Sequence, residues 1–142
     1  MKKRGQMKLS FGMIFSIIMI IVFLVFAFYG IGKFLNFQKA IKFTQFEENL
    51  QSDIDILWKS SSGEKEVSYY LPSDVRSICF LDEEFKNLRY NSKKPRSGLI
   101  LAHLDIDKTL GNSNSLCIEN INNRVEFKLE KNYGETVIVS KL

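Results

Sequence analysis

Histidine occurs once in the 142 residues, at His103, and cysteine twice, at Cys79 and Cys117. One imidazole leaves little scope for acid–base relays, and neither cysteine stands in the CxxC or Cys-His spacing used for metals. No serine or cysteine lies in a nucleophile setting such as GxSxG, and the phosphate-binding glycine loop and dinucleotide fingerprint are both missing. There is no internal repeat and no low-complexity tract. These absences argue against an enzyme and against a bound cofactor.

Charge is missing from one long stretch. Between Leu9 and Gly32 no Asp, Glu, Lys or Arg occurs, and the run is filled with Ile, Phe, Val, Leu and Met. At 1.5 Å per residue it would reach about 36 Å, against a bilayer hydrocarbon thickness of about 30 Å, so it predicts one tilted membrane span. A cleaved secretory signal would have a shorter apolar core and an Ala-x-Ala-like site. The small residues around Ala27 and Gly30 are not spaced for that.

The net charge of +4 comes from the front of the chain. Of the 20 Lys and Arg residues, Lys2, Lys3, Arg4 and Lys8 precede the span, and the other 16 balance the 16 Asp and Glu. A basic excess confined to a segment beside a membrane span reports topology, so nucleic acid is not an expected partner. Four basic residues in front, against Lys33, Lys39 and Lys42 behind, favour an N-terminus in the cytoplasm and the rest of the chain outside it, and the cysteines are the second argument for that orientation. Cys79 and Cys117 admit a disulfide or two buried free thiols. A bridge would suit an extracytoplasmic location and would be worth on the order of 4 kcal/mol for the loop that it closes.

Helical periodicity continues beyond the span. Phe34, Phe37 and Ile41 make one apolar stripe; Phe43, Phe46, Leu50, Ile54 and Leu57 make a second on nearly the opposite face. The second set is expected to pack on the chain's own domain, the first to meet the membrane interface or a neighbouring helix. A kink near Lys42 is the alternative. Ser60 to Gly63 would end the helix.

Beyond Gly63 the period falls to two, which predicts strands over residues 66–71, 75–81, 99–107, 116–121, 124–131 and 135–142. Asn122 and Asn123 suit a two-residue hairpin turn, and residues 91–98 and 111–115 read as loops. The expected fold class is α+β: one long N-terminal helix followed by a small antiparallel β-meander. Its parts are a basic cytoplasmic head (1–8), the span (9–32), an amphipathic extension (33–59), a linker (60–63) and the β domain (64–142).

His103, Asp105 and Asp107 would share one side of the predicted 99–107 strand and are weak candidates for a divalent cation; the polar, solvated outer face of a half-buried strand is the preferred explanation. As a calcium loop they fail, because Leu110 and Leu116 stand where Gly and Glu are needed. The Asp82, Glu83 and Glu84 cluster reads as a solvated turn.

A basic head, a glycine ahead of an uncharged hydrophobic stretch, a helix of about 50 residues and a β-domain with two cysteines together make a plan that resembles the type IV pilin and pseudopilin family. The local motif is Lys3, Arg4, Gly5 and Gln6, which is similar to an archaeal class III signal. The resemblance implies cleavage between Gly5 and Gln6, packing of the apolar helix into a filament core and an outward β-domain. Ser10 stands where the family commonly has Glu, and Lys8 puts a charge near the start of the apolar helix. Membrane lipid, copies of the chain or other pilin-like subunits are the partners implied. The expected function is a non-enzymatic structural or assembly component of a surface apparatus. An anchored binding module that does not polymerise is the rival, and an enzyme using His103 a distant third.

Overall fold

The computed structural model of the protein describes residues 11–142. Its first element, α1, runs from Phe11 to Lys59 as one helix of 49 residues, as the periodicity predicts. No proline precedes Pro72 to interrupt it. Two of its hydroxyls are satisfied one turn back, with Ser16 Oγ donating to the Gly12 carbonyl at 2.8 Å and Thr44 Oγ1 to that of Ala40 at 3.2 Å. The chain divides into two compact units between Gln38 and Lys39.

In the second unit α1 is the centre of the core. Phe43, Phe46, Leu50, Ile54 and Leu57 are its buried residues, which is the second apolar stripe read from the sequence. Two antiparallel sheets of three strands each supply the rest. The first has the order β1 (Gly63–Tyr70), β5 (Arg124–Lys131), β6 (Ile138–Ser140); the second has β3 (Lys86–Ser92), β2 (Val75–Glu83), β4 (Ser115–Glu119). In the first, Val67 pairs with Phe127 and Tyr69 with Val125, so alternate residues on both strands reach the same buried face. Edge-to-face aromatic contacts join the layers. Phe46 lies 5.4 Å from Tyr69 on β1 and 6.1 Å from Tyr90 on β3, and Phe127 lies 5.8 Å from Phe80 on β2.

The α+β class, the long helix and the antiparallel pairing match expectation. Connectivity within the β region is more divided than a simple meander. Asn122 and Asn123 both adopt positive φ, at 53° and 63°, and Ile121 and Arg124 exchange both backbone hydrogen bonds, at 2.9 and 3.0 Å. The predicted tight turn is therefore present. The strands that it joins belong to different sheets.

The predicted strand over 99–107 is a correction. Leu99 makes one isolated bridge to Leu88, and the chain then turns into a short helix, α2, Ile106–Leu110. Leu101 is buried and Ile100 exposed, whereas a strand with His103, Asp105 and Asp107 on its outer side would put Leu101 outside as well. Leu101 is held there because Asn87 grips its backbone twice: Asn87 Nδ2 donates to the Leu101 carbonyl at 2.8 Å, and the Leu101 N–H donates to Asn87 Oδ1 at 2.7 Å. Gly98 permits the close approach. A Cβ there would lie 2.2 Å from the Leu88 carbonyl oxygen.

Leu50 is fully buried and Ile56, on the opposite side of the same helix, is 59% exposed. Leu50→Ala is expected to destabilise the second unit by about 2–5 kcal/mol, whereas Ile56→Ala should change its stability by no more than about 0.5 kcal/mol. Denaturant unfolding of the detergent-solubilised chain, followed by Trp58 fluorescence, measures both.

Candidate functional site

The described part of the first unit is mainly apolar. Every residue from Phe11 to Ala40 is exposed, and from Phe11 to Gly32 none is charged. Phe11, Phe23, Phe26, Phe28 and Ile31 are each more than half exposed. This helix is long and apolar enough to span a membrane. A contiguous apolar surface of this size marks a membrane or protein contact.

The second unit is fastened by carboxylates that flank the buried stripe of α1. Asp53 receives Lys65 Nζ and Tyr69 Oη, each at 2.6 Å. Glu47 receives Tyr90 Oη at 2.7 Å. Both phenols are raised well above their ordinary pKa, first by burial and then by the adjacent carboxylate, Asp53 for Tyr69 and Glu47 for Tyr90. Asp55 is lowered, chiefly by the hydrogen bond from Gln51 and then by His103. Gln51 also bonds the backbone of Ala102, accepting its N–H at 2.9 Å.

At the end of α1, Trp58 stacks on the His103 ring at 4.7 Å between centroids and 5° between planes. Lys131, 8% exposed, donates to the Trp58 carbonyl at 2.8 Å and also to that of Ser60. A buried ammonium thus satisfies carbonyls that the helix end leaves without partners.

The residues singled out from sequence fall into three groups. Arg4, Gly5 and Gln6, with Lys2, Lys3, Lys8 and Ser10, lie outside the described residues. Cys79 and Cys117 are brought together: they face each other on β2 and β4 and form a disulfide with an S–S distance of 2.04 Å.

His103, Asp105 and Asp107 are separated in role, which corrects the shared face expected of them. His103 has a positive φ of 62°, and its Nδ1 lies 3.1 Å from Asp55 Oδ1. Asp105 caps α2 by accepting the Lys108 N–H at 3.0 Å, and its other oxygen accepts Thr136 Oγ1 at 3.2 Å. Asp107 sits in the first turn of that helix. Among the described residues, no group of three or more His, Cys, Asp or Glu is placed to hold a metal ion.

The sequence reading missed the Asp53–Tyr69 and Glu47–Tyr90 ties. Their signal was present in the carboxylates at the borders of the apolar stripe, but the tyrosines that they meet lie on strands whose pairing periodicity does not specify. No protein-family description, curated protein or solved structure matches the chain.

The two phenols set a pH dependence. Below pH 10, near the ordinary tyrosine value, both are neutral whether folded or unfolded, and their contribution is constant. Above it the unfolded chain ionises while the folded one resists, so stability should fall as pH rises beyond 10. Unfolding midpoints measured across that range should decline, and the Tyr69→Phe, Tyr90→Phe double variant should flatten the decline.

Proposed function

We propose that the chain is a non-enzymatic, single-pass membrane protein of pilin-like plan, with its N-terminus cytoplasmic and its disulfide-bonded head extracytoplasmic. It serves as a structural or assembly component of a cell-surface apparatus. The observation that carries this reading is the uncovered apolar surface of α1 from Phe11 onward. Transfer of one such large side chain out of water is worth about 1.5–3 kcal/mol, so the whole surface favours lipid, copies of itself or other pilin-like subunits over solvent.

Two features support the orientation. Four cations precede the span, against Lys33, Lys39 and Lys42 in the stretch just after it. The Cys79–Cys117 bridge suits an oxidising compartment. The division of α1 supports the pilin-like plan, since one continuous helix offers an apolar surface at its front and a core stripe at its rear.

The intact mass of protein purified from its native membrane, with and without reductant and alkylation, tests the reading. Loss of Met1 to Gly5, with both thiols protected until reduction, is the expected result. A full-length mass with protected thiols would favour an anchored module that does not polymerise, and free thiols would overturn the orientation. Ile21→Arg, near the middle of the span, should cost about 2.5–3.5 kcal/mol of insertion free energy. Alkaline extraction of membranes should then release more of the variant than of the native protein.

A further inference from the structure

From Lys33 onward the chain is neutral in sum, yet its charge is unevenly placed. On the part of α1 within the second unit, Lys39 and Lys42 come first; Glu47, Glu48, Asp53 and Asp55 lie further along. The loop after β3 adds Lys93, Lys94 and Arg96, all exposed. Contacts within the unit gather these cations at one end of it. The Arg96 guanidinium lies 3.4 Å over the Phe43 ring. Lys39 Nζ is 3.8 Å from Asp74 Oδ1, and the Lys93 N–H donates to the Asp74 carbonyl at 3.0 Å. Lys42 Nζ lies 4.1 Å over the ring of Tyr70, itself 46% exposed.

Direct pairing at this end is slight, although Asp82 and Glu83 line the same groove as Lys94 and Arg96, Glu83 being paired with Lys86 and Arg89. Asp74 is the carboxylate paired into the cluster, and its Oδ1 has no hydrogen bond, so the Lys39 contact is a loose ion pair. Glu47 lies a turn further along and is engaged by Tyr90.

We propose that Lys39, Lys42, Lys93, Lys94 and Arg96 form a docking surface for the phosphates of anionic phospholipids in the membrane that holds the helix. This rests on the membrane-anchored reading above. Covalent reach selects the occupant: Lys39 follows Gly32, the last residue of the charge-free stretch, by at most about 25 Å of chain in any conformation. A tether that short keeps the headgroup layer at high effective concentration. Clustered cations beside a span are attracted to anionic lipid, and an exposed Tyr with a lysine against its ring suits the membrane–water boundary.

The full chain, reconstituted in nanodiscs, tests the proposal through the acetylation rate of each lysine, read by peptide mass spectrometry. Discs of phosphatidylcholine are compared with discs containing phosphatidylglycerol. Lys39, Lys42, Lys93 and Lys94 should react roughly threefold or more slowly in the anionic discs, with Lys65 and Lys108 unchanged. The protection should vanish in about 1 M NaCl, where the Debye length falls to about 3 Å. Inorganic phosphate added to neutral discs should not reproduce it. In the Lys93→Glu, Lys94→Glu, Arg96→Glu variant, with its disulfide verified intact, Lys39 and Lys42 should lose the difference.

Equal rates in both discs, with the chain retained in them, would overturn the docking surface alone. Protection in neutral discs that rises with the number of chains per disc would assign the patch to a second copy and overturn the lipid proposal. Recovery of the chain outside the discs would overturn the anchored reading and this one together.

Discussion

The burial of one face of α1 between two sheets is the interaction on which the second unit depends. Phe46 touches Tyr69 of one sheet and Tyr90 of the other, and Leu50 and Ile54 behind it are completely buried. A three-stranded sheet has one apolar face to hide. Here the helix supplies the surface that both faces share, and without it each sheet would expose the residues that make it a sheet. The polar ties at Glu47, Asp53 and Asp55 lie along the margins of this seam. Carboxylates at the borders and aromatics at the centre give the helix one rotational setting against the strands.

The same element meets two different demands along its length. From Phe43 to Leu57 apolar residues recur at helical spacing and are covered by the chain's own strands; before that, apolar residues occur on every side and none is covered. A helix apolar all round is suited to lipid or to neighbours in several directions, and one with a stripe is suited to a single partner surface. The change of pattern around Lys39 to Lys42 is also where cations appear without carboxylates.

Much of this was legible in the sequence because it obeyed a single period. The stripe from Phe43 to Leu57 and the alternation of Val125, Phe127 and Leu129 each persist for several repeats, and burial follows them residue by residue. The Asn122–Asn123 turn was readable because few residues tolerate positive φ. The strand β3 was not. Its buried positions are only Leu88 and Tyr90, set among polar residues at a sheet edge, so local pattern resembles a loop. The alternation over 99–107 misled for a different reason: the side chain of Asn87 and the backbone of Leu88 hold that segment, and α2 is too short to display a helical period. Its signals were the cap at Asp105 and the glycine at 111. The partition of β4 and β5 between sheets is a property of long-range pairing that no local pattern carries.

The pairing of β1 sets an order of events. Gly63 on β1 lies opposite Lys131 on β5, and Lys131 also closes the end of α1 through the Trp58 and Ser60 carbonyls. β5 is the partner of β1 among the described residues, so the strand that follows the helix must wait for more than 50 residues of chain before it can pair. Loop closure over that distance slows formation of the sheet. While the chain is made from its N-terminus, the hairpin of β2 and β3 can form early and offer Tyr90 to the stripe, but the side that meets Tyr69 stays open and the Trp58 and Ser60 carbonyls lack Lys131 until β5 arrives. The final quarter of the chain therefore decides when the helix acquires its end.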